Sequence, residues 1–422
     1  MEEDLNVWTM KAATIVSAGV LCGLVGFILE DIQLFTLGIV LCSFIAVSHL
    51  FRPAIRVERP IHLTRVLEGD TLEIGAWVRN EGRVGALIEI YDTLPAQMRV
   101  HAGSNRLLAH LEPGEEAMMG YTIETPLRGH YVLGPVLLRR RDPSFLFFEE
   151  EQIVERGYLS VYPRPMEIHS VPITSRYTIP YFGMVAQRQT GLGSEFYYIR
   201  DYVMGDAFKR INWKASVRHR KWLVNEYEKE NLCNVMIFVD ARWVTGRGST
   251  LRNPLEFSVK AAVSLCTHLL RGRNEVGLVT YGDEVRTFFP SVGERQLQNL
   301  TTALVGTYAR GDIPLLTALE TSLMHIPPHS TLFVITSLDA DETLIEAVRL
   351  MKDRGHEVVF LCPSLIGIEM ELSEGKPGKK VGIAMLERDN LISELRAHGA
   401  VVMDWDVSQP LFSVLDKGGV AG

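Results

Sequence analysis

The sequence predicts a multidomain chain: an N-terminal transmembrane helical hairpin, then an antiparallel β-sandwich, then a Rossmann-like α/β domain. Two uncharged apolar runs lie back to back near the start, short alternating runs broken by turn residues fill the middle, and near-continuous apolar runs alternate with helical ones toward the end. The 422 residues also exceed what one ordinary hydrophobic core organises.

The hairpin is placed at residues 1–52. The run from Ala12 to Leu29 has no charge, the run from Ile32 to Phe51 has none apart from His49, and Glu30 and Asp31 separate them. As helix, each run crosses roughly 30 Å of hydrocarbon. Ala12, Ala13, Ser17, Ala18, Gly19, Gly23 and Gly26 line the first run with small side chains, which lets a second helix approach closely. Arg52, Arg56, Arg59 and Arg65 follow the second run, whereas the tip is acidic. Excess positive charge stays on the cytoplasmic side, so the expectation is a two-pass protein of the cell membrane with the bulk of the chain cytoplasmic. The competing reading is a signal peptide followed by a buried helix. Glu2, Glu3 and Asp4 stand where a basic leader would be and oppose it.

Residues 53–165 read as the sandwich. Leu72, Ile74, Ala76 and Val78 alternate as in a half-buried strand, and Gly69-Asp70, Glu81-Gly82 and Pro113-Gly114 punctuate the runs. Asp70, Asp92 and Asp142 fall at turn-like positions, where carboxylates are usually structural.

Residues 233–422 read as α/β. NVMIFVD, EVGLVTYGD, TLFVITSLD, HEVVFLCPS and AVVMDWD are strands, and VRTFFPS is a short further one. Between them, Leu255, Val259, Ala262, Val263, Cys266, Leu269 and Leu270 share one helical face. DETLIEAVRLMKDRG opens with acids and closes on Lys352, Arg354 and Gly355, as a helix should. Such alternation predicts a mostly parallel sheet covered on both faces, with ligands beyond the carboxyl ends of its strands.

Residues 166–232 form a junction. Between Gln187 and Lys221, eight Lys and Arg oppose Glu195, Asp201 and Asp206, with Trp213, Trp222 and other aromatics interleaved. Three uses compete: aromatic platforms and cations for nucleic acid, backbone donors at Gly191-Leu192-Gly193-Ser194 for phosphate or nucleotide, or the joining of two domains. The net charge of −8 opposes nucleic acid, and there is no GxxxxGK[ST]. Joining fits best. Gly205-Asp206 makes a turn, Ala207 to His219 a short helix, and Leu223 to Tyr227 a strand. Arg200 and Arg210 pair with Asp201, Asp206, Glu226 or Glu228, and Trp213 plugs the interdomain gap.

The chain as a whole resembles the domain-of-unknown-function-58 family. The resemblance rests on Gly193, Phe196, Arg200, Asp201-Tyr202, Gly205-Asp206, Arg210-Ile211, Trp213, Ala215-Ser216, Arg218 and Leu223. In the middle domain it rests on Arg128-Gly129-His130-Tyr131, Gly134-Pro135, Asp142-Pro143 and Leu146-Phe147. It implies a membrane anchor, an α/β domain similar to von Willebrand factor type A, and a MoxR-type AAA+ ATPase as partner.

A type A domain can hold Mg²⁺ through an Asp-x-Ser-x-Ser loop, a Thr in a second loop and an Asp after a later strand. Here Arg242 and Val244 stand at the two serine positions after Asp240. Ile313 stands for the Thr beside Asp312, and Ser337 for the later Asp, with Asp339 two residues on. A guanidinium cannot ligate a metal. The site therefore reads as degenerate, with Arg242 pairing Asp240 or another carboxylate and no cofactor expected. A weak Mg²⁺ or Ca²⁺ site stays open if Asp240, Asp312 and Asp339 converge.

Catalysis lacks a constellation. There is no GxSxG, HExxH or CxxC, and Pro327-Pro328 keeps His325 and His329 off a shared helical face. Five scattered cysteines form no disulfide framework. The expectation is a scaffold rather than an enzyme. A metal-dependent receptor and a phosphate- or nucleotide-binding regulator are the alternatives.

Overall fold

A computed structural model describes residues 5–50, 54–60, 64–141, 146–153, 156–171, 186–204, 206, 208–230, 233–365 and 379–418. Asp142-Pro143, Gly205 and Ala207, which the sequence argument uses, lie outside them. The chain divides into two units, Met1–Tyr162 and Pro163–Gly422.

The first unit begins with β1 (Leu5–Trp8), a strand that the sequence argument did not foresee, followed by α1 (Met10–Ile28) and α2 (Ile32–Leu50). By length and composition α1 can cross a membrane, and the apolar stretch of α2, Ile32–Val47, is shorter. The two helices touch through glycine. A Cβ on Gly26 would lie 2.4 Å from the Phe35 nitrogen, and one on Gly38 2.6 Å from the Gly23 nitrogen. Small residues thus permit close backbone approach between the two helices. Thr9 caps α1 by accepting from the Ala12 N–H at 3.3 Å, and its hydroxyl donates to the Leu146 carbonyl at 2.8 Å.

Eleven further strands complete this unit: β2 (Ile55–Glu58), β3 (Thr64–Leu67), β4 (Thr71–Asn80), β5 (Ala86–Asp92), β6 (Arg99–Gly103), β7 (Arg106–Leu111), β8 (Glu116–Glu124), β9 (Gly129–Leu133), β10 (Val136–Arg141), β11 (Phe147–Ile153) and β12 (Gly157–Tyr162). They form sheets ordered β1-β11-β10-β5-β7, β2-β4-β8-β6 and β3-β12-β9. Ile74, Ala76 and Val78 of β4 meet Ala86, Ile88 and Ile90 of β5 in one core, as period-two patterning requires. Asp92 occupies the next inward position of β5 and is buried. Arg59 Nη1 contacts both its oxygens, at 2.7 and 2.8 Å, and the Tyr121 hydroxyl donates to it at 2.7 Å. Burial, then the charge of Asp92, pushes the Tyr121 phenol up. Arg59 is therefore an interior partner rather than a free flanking charge, which removes it from the set used to orient the hairpin.

In the second unit β13 (Ala186–Asp201) and β14 (Leu223–Glu230) form an antiparallel ribbon, interrupted by α3 (Trp213–His219). The helix expected from Ala207 does not run through. A 3₁₀ turn covers Phe208–Arg210, Ile211 bridges to Val224, and Asn212 then caps α3 by accepting from the Ala215 N–H at 3.0 Å. Pairing Ile211 with the ribbon breaks the helical path.

The main sheet consists of β15 (Asn234–Asp240), β16 (Glu275–Tyr281), β17 (Val285–Ser291), β18 (Thr331–Ile335), β19 (Glu357–Ser364) and β20 (Val401–Asp406), in the order β17-β16-β15-β18-β19-β20. Only β17, at the edge, runs antiparallel. Along β15, Val235, Ile237 and Val239 enter one core while Met236 and Phe238 enter the other, so the strand reads as continuously apolar. The first core is closed by α4 (Pro254–Arg271), which Asn253 caps and Pro254 opens. The second takes α6 (Leu315–Ser322) and α7 (Leu344–Asp353), with α5 (Glu294–Val305) beside α4. Helices Lys379–Ala397 and Leu411–Gly418 complete the layers.

Candidate functional site

The strand order reverses at β15. The chain passes from β15 to β16 on one side and returns to β18 on the other, leaving a crevice beyond their carboxyl ends. Asp240 ends β15 at this point and is fully buried. Its Oδ1 accepts from the Arg242 backbone N–H and from Arg242 Nε, both at 3.0 Å. Its Oδ2 accepts from Arg242 Nη2 and from the Thr336 hydroxyl, both at 2.8 Å. Every lone-pair direction of the carboxylate is thereby used.

The guanidinium is nearly as fully engaged. Nη2 also donates to the Asp339 carbonyl at 3.1 Å and Nη1 to the Ala340 carbonyl at 2.9 Å, while Asp341 Oδ2 lies 3.6 Å from Nη1. Arg242 is 1% exposed. Burial alone would lower its pKa, but the hydrogen bonds and charge of Asp240 more than offset this and hold it above its ordinary value. Burial, then Asp240, pushes the neighbouring Tyr281 phenol up, so that group is neutral.

Two loops complete the site. The Gly311 carbonyl, at a residue with φ +65°, accepts from the Trp243 N–H at 2.9 Å, and a Cβ there would lie 2.3 Å from the Asp283 Cα. Only glycine fits so close an approach in the left-handed region. After β18, Leu338 and Ala340 adopt φ of +66° and +51°, a conformation that costs non-glycine residues energy. This turns the Asp339 and Ala340 carbonyls onto Arg242. Asp341 follows and is buried, its Oδ2 accepting from the Leu315 N–H that opens α6 at 3.0 Å.

Asp312 and Asp339 do not converge with Asp240. Both side chains are exposed, and Asp339 reaches the site only by its backbone. Asp341, Thr336 and Tyr281 were missed by the sequence argument, as was Arg388. Arg388 donates to Asp404 Oδ1 at 2.7 and 3.1 Å, to the Ser337 carbonyl at 2.6 Å and to the Cys362 carbonyl at 2.9 Å. Two guanidinium groups therefore cover the carboxyl ends of the central strands. A polar cleft at the end of β16, lined by Ala241, Tyr281, Asp283, Arg286, Tyr308 and Arg310, has a volume of about 60 Å³, too small for a nucleotide.

In the junction, Arg200 forms a bidentate pair with Asp206 at 2.7 and 2.8 Å, and Lys221 lies 2.7 Å from Asp201. Tyr202 meets Trp222 edge to face at 5.4 Å. Trp213 is not a buried plug. It is 59% exposed, with its ring against Trp222 at 6.4 Å. Arg218 is exposed on α3, Arg210 ends the 3₁₀ turn, and Gly205 lies outside the described residues.

Ribbon, lobe and central strands together coincide with one comparison. Residues 198–361 match the family described as Protein of unknown function DUF58. The DUF58 match begins in β13, takes in Asp240, Arg242, Thr336 and Asp341, and ends within β19. No curated protein matches the chain. Among solved structures, proximal thread matrix protein 1 from the mussel byssus is 12% identical, covers 44% of this chain and 47% of its own, and has a TM-score of 0.30. A non-cellulosomal cohesin from Archaeoglobus fulgidus is 11% identical over 25% of this chain and 91% of its own, at 0.18. The ASH/PapD-like domain of human CEP192 is 14% identical over 26% and 87%, at 0.19. Likenesses this low carry no argument about function.

Proposed function

We propose that this chain is a membrane-anchored scaffold whose α/β domain, of von Willebrand factor type A kind, binds other proteins without a divalent ion. The observation that carries this reading is the Asp240–Arg242 pair. At the switch point where such sheets take their ligands, the carboxylate that would begin a metal site is saturated by a buried guanidinium. Oxygen ligands for Mg²⁺ must be free to form a near-octahedral set, and Asp240 has no free lone pair. The hydroxyl beside Asp240, that of Thr336, is fully buried and the carboxylate is held by Arg242, so neither is placed to attack a substrate, and protein contact is favoured over catalysis.

In this proposal both apolar helices cross the membrane. Glu30 and Asp31 lie outside, and the rest of the chain lies in the cytoplasm, where Arg52, Arg56 and Arg65 favour retention even with Arg59 withdrawn into the sandwich. The partner class is a MoxR-type AAA+ ATPase, with the scaffold presenting or assembling a client complex. The test is affinity purification of the full chain from detergent, with and without ATP. Recovery of an AAA+ protein in either condition supports the reading, and its absence from both sinks it. Protease added to spheroplasts tests the orientation: the α/β domain should stay intact until the membrane is opened.

A further inference from the structure

The lobe that joins β13 to β14 exposes apolar side chains that a soluble surface would hide. Met204 is 96% exposed, Val217 78%, Phe208 62% and Trp222 52%, beside Val203 and Trp213. Scattered apolar residues need no explanation, but these crowd one short stretch and its rings touch one another. This set is held in place. The Tyr202 N–H donates to the Trp222 carbonyl at 2.9 Å, and the Asn212 N–H to the Leu223 carbonyl at 2.8 Å. Ser216 Oγ accepts from the Leu223 N–H at 2.9 Å, and Arg200 clamps Asp206. Trp222 is the hub, with Phe208 at 6.3 Å and Trp213 at 6.4 Å, both edge to face.

Among the described residues of the lobe, the charges without a described acidic partner are cationic. Lys209, Lys214, Arg218 and Arg220 are exposed, whereas the acids are engaged, Asp206 by Arg200 and Asp201 by Lys221. Tryptophan and aliphatic tips within a collar of Lys and Arg are the composition of a surface that sits at the headgroup level of an anionic bilayer. Nucleic acid suits it less well. Met204, Val203 and Val217 offer no stacking face, and the tryptophan rings meet at 62° rather than presenting parallel platforms.

We propose that this lobe docks on an anionic lipid surface, inserting the Met204, Phe208, Trp213 and Trp222 side chains between headgroups while the lysines and arginines meet the lipid charge. The proposal rests on the membrane reading of the hairpin, which already brings the chain to a bilayer. The attraction is local, because the chain as a whole carries −8.

The test uses the full chain in nanodiscs whose acyl chains are brominated, made of phosphatidylcholine alone or with roughly 30 mol % phosphatidylserine. Tryptophan quenching is read for the native protein and for the Trp213→Phe/Trp222→Phe variant. The quenching that the variant lacks should be at least roughly twofold greater in the anionic discs, and should fall in about 0.5 M salt. Lys209→Glu/Lys214→Glu/Arg218→Glu, all surface changes, should abolish the anionic preference. Equal quenching in both discs, or none assignable to Trp213 and Trp222, overturns the proposal; a protein occupant would give that result. Resistance of the chain to alkaline carbonate extraction separates the two claims. If the chain is extracted, the hairpin reading itself falls. If it stays in the membrane without lobe quenching, only the docking falls.

Discussion

Arg242 Nη2 lies 2.8 Å from Asp240 Oδ2, and Arg242 Nε 3.0 Å from Asp240 Oδ1, with both side chains buried. A single residue, Ala241, separates the pair in the chain, yet the pair closes the carboxyl end of a six-stranded sheet. Its geometry fixes what can and cannot happen at the crevice.

Removal of one partner should be more damaging than removal of both. Arg242→Met strands a desolvated carboxylate and is expected to destabilise the α/β unit by about 3–5 kcal/mol. Asp240→Leu/Arg242→Met removes both charges and should lose clearly less. Urea unfolding followed in detergent provides the comparison, and a double variant as unstable as the single one refutes the paired-charge account.

Metal binding should appear only when the guanidinium is gone. Arg242→Ser/Val244→Ser restores small oxygen-bearing side chains next to Asp240, with Thr336 and Asp341 at hand. Calorimetry should then detect Mg²⁺, and the metal should raise the variant's melting temperature, by roughly 2–4 °C where it contributes about 1 kcal/mol. The unaltered protein should give no heat. Tight Mg²⁺ binding by the native chain contradicts the reading of the site.

Acid should weaken the second unit through His356. Burial lowers its pKa from 6.5, and its Nδ1 accepts from the Ser330 N–H at 3.2 Å, which requires the neutral ring. Above 6.5 both folded and unfolded forms are neutral at this residue, and its stabilising effect is complete. Below that value the unfolded chain takes up the proton first, so stability is lost as pH falls toward the lowered folded value. Melting temperature should therefore drop on acidification, and less so in His356→Gln. An equal drop in both proteins rules out this histidine as the cause.

Cys266 and Cys362 of the α/β unit should be inert until it unfolds. Burial pushes the Cys266 and Cys362 thiols up to about 12, and both are fully enclosed. The thiolate is the reactive form. Iodoacetamide should leave both unmodified in native protein and label both in urea, as mass spectrometry of peptides would reveal. Native labelling at either site would mean that the core opens.

The local elements were legible where one chemical pattern dominates. The apolar pair ahead of residue 52 becomes α1 and α2. The alternation at Ile74, Ala76 and Val78 becomes the inner face of β4, and NVMIFVD becomes the two-sided strand β15. Where backbone pairing competed with helical preference, the pattern misled. Ile211 joins Val224 and splits the helix expected from Ala207, and Leu5–Trp8 pairs with β11 from far away in the chain.

By itself the sequence determined that Asp240 ends a buried strand, that a guanidinium follows two residues later, and that cations and aromatics crowd the stretch before it. Only the tertiary structure decided which groups complete the site. Thr336 and Asp341 reach Asp240 and Arg242 because β18 runs parallel beside β15, and Asp341 rather than Asp339 turns inward because Leu338 and Ala340 take left-handed backbone angles. The same holds for Trp213. Its aromatic character is written in the chain, but its exposure depends on how Asn212, Ser216 and Leu223 pin the lobe. Periodicity records which face a residue prefers, whereas partners distant in sequence are chosen by strand order and loop geometry, which no local pattern encodes.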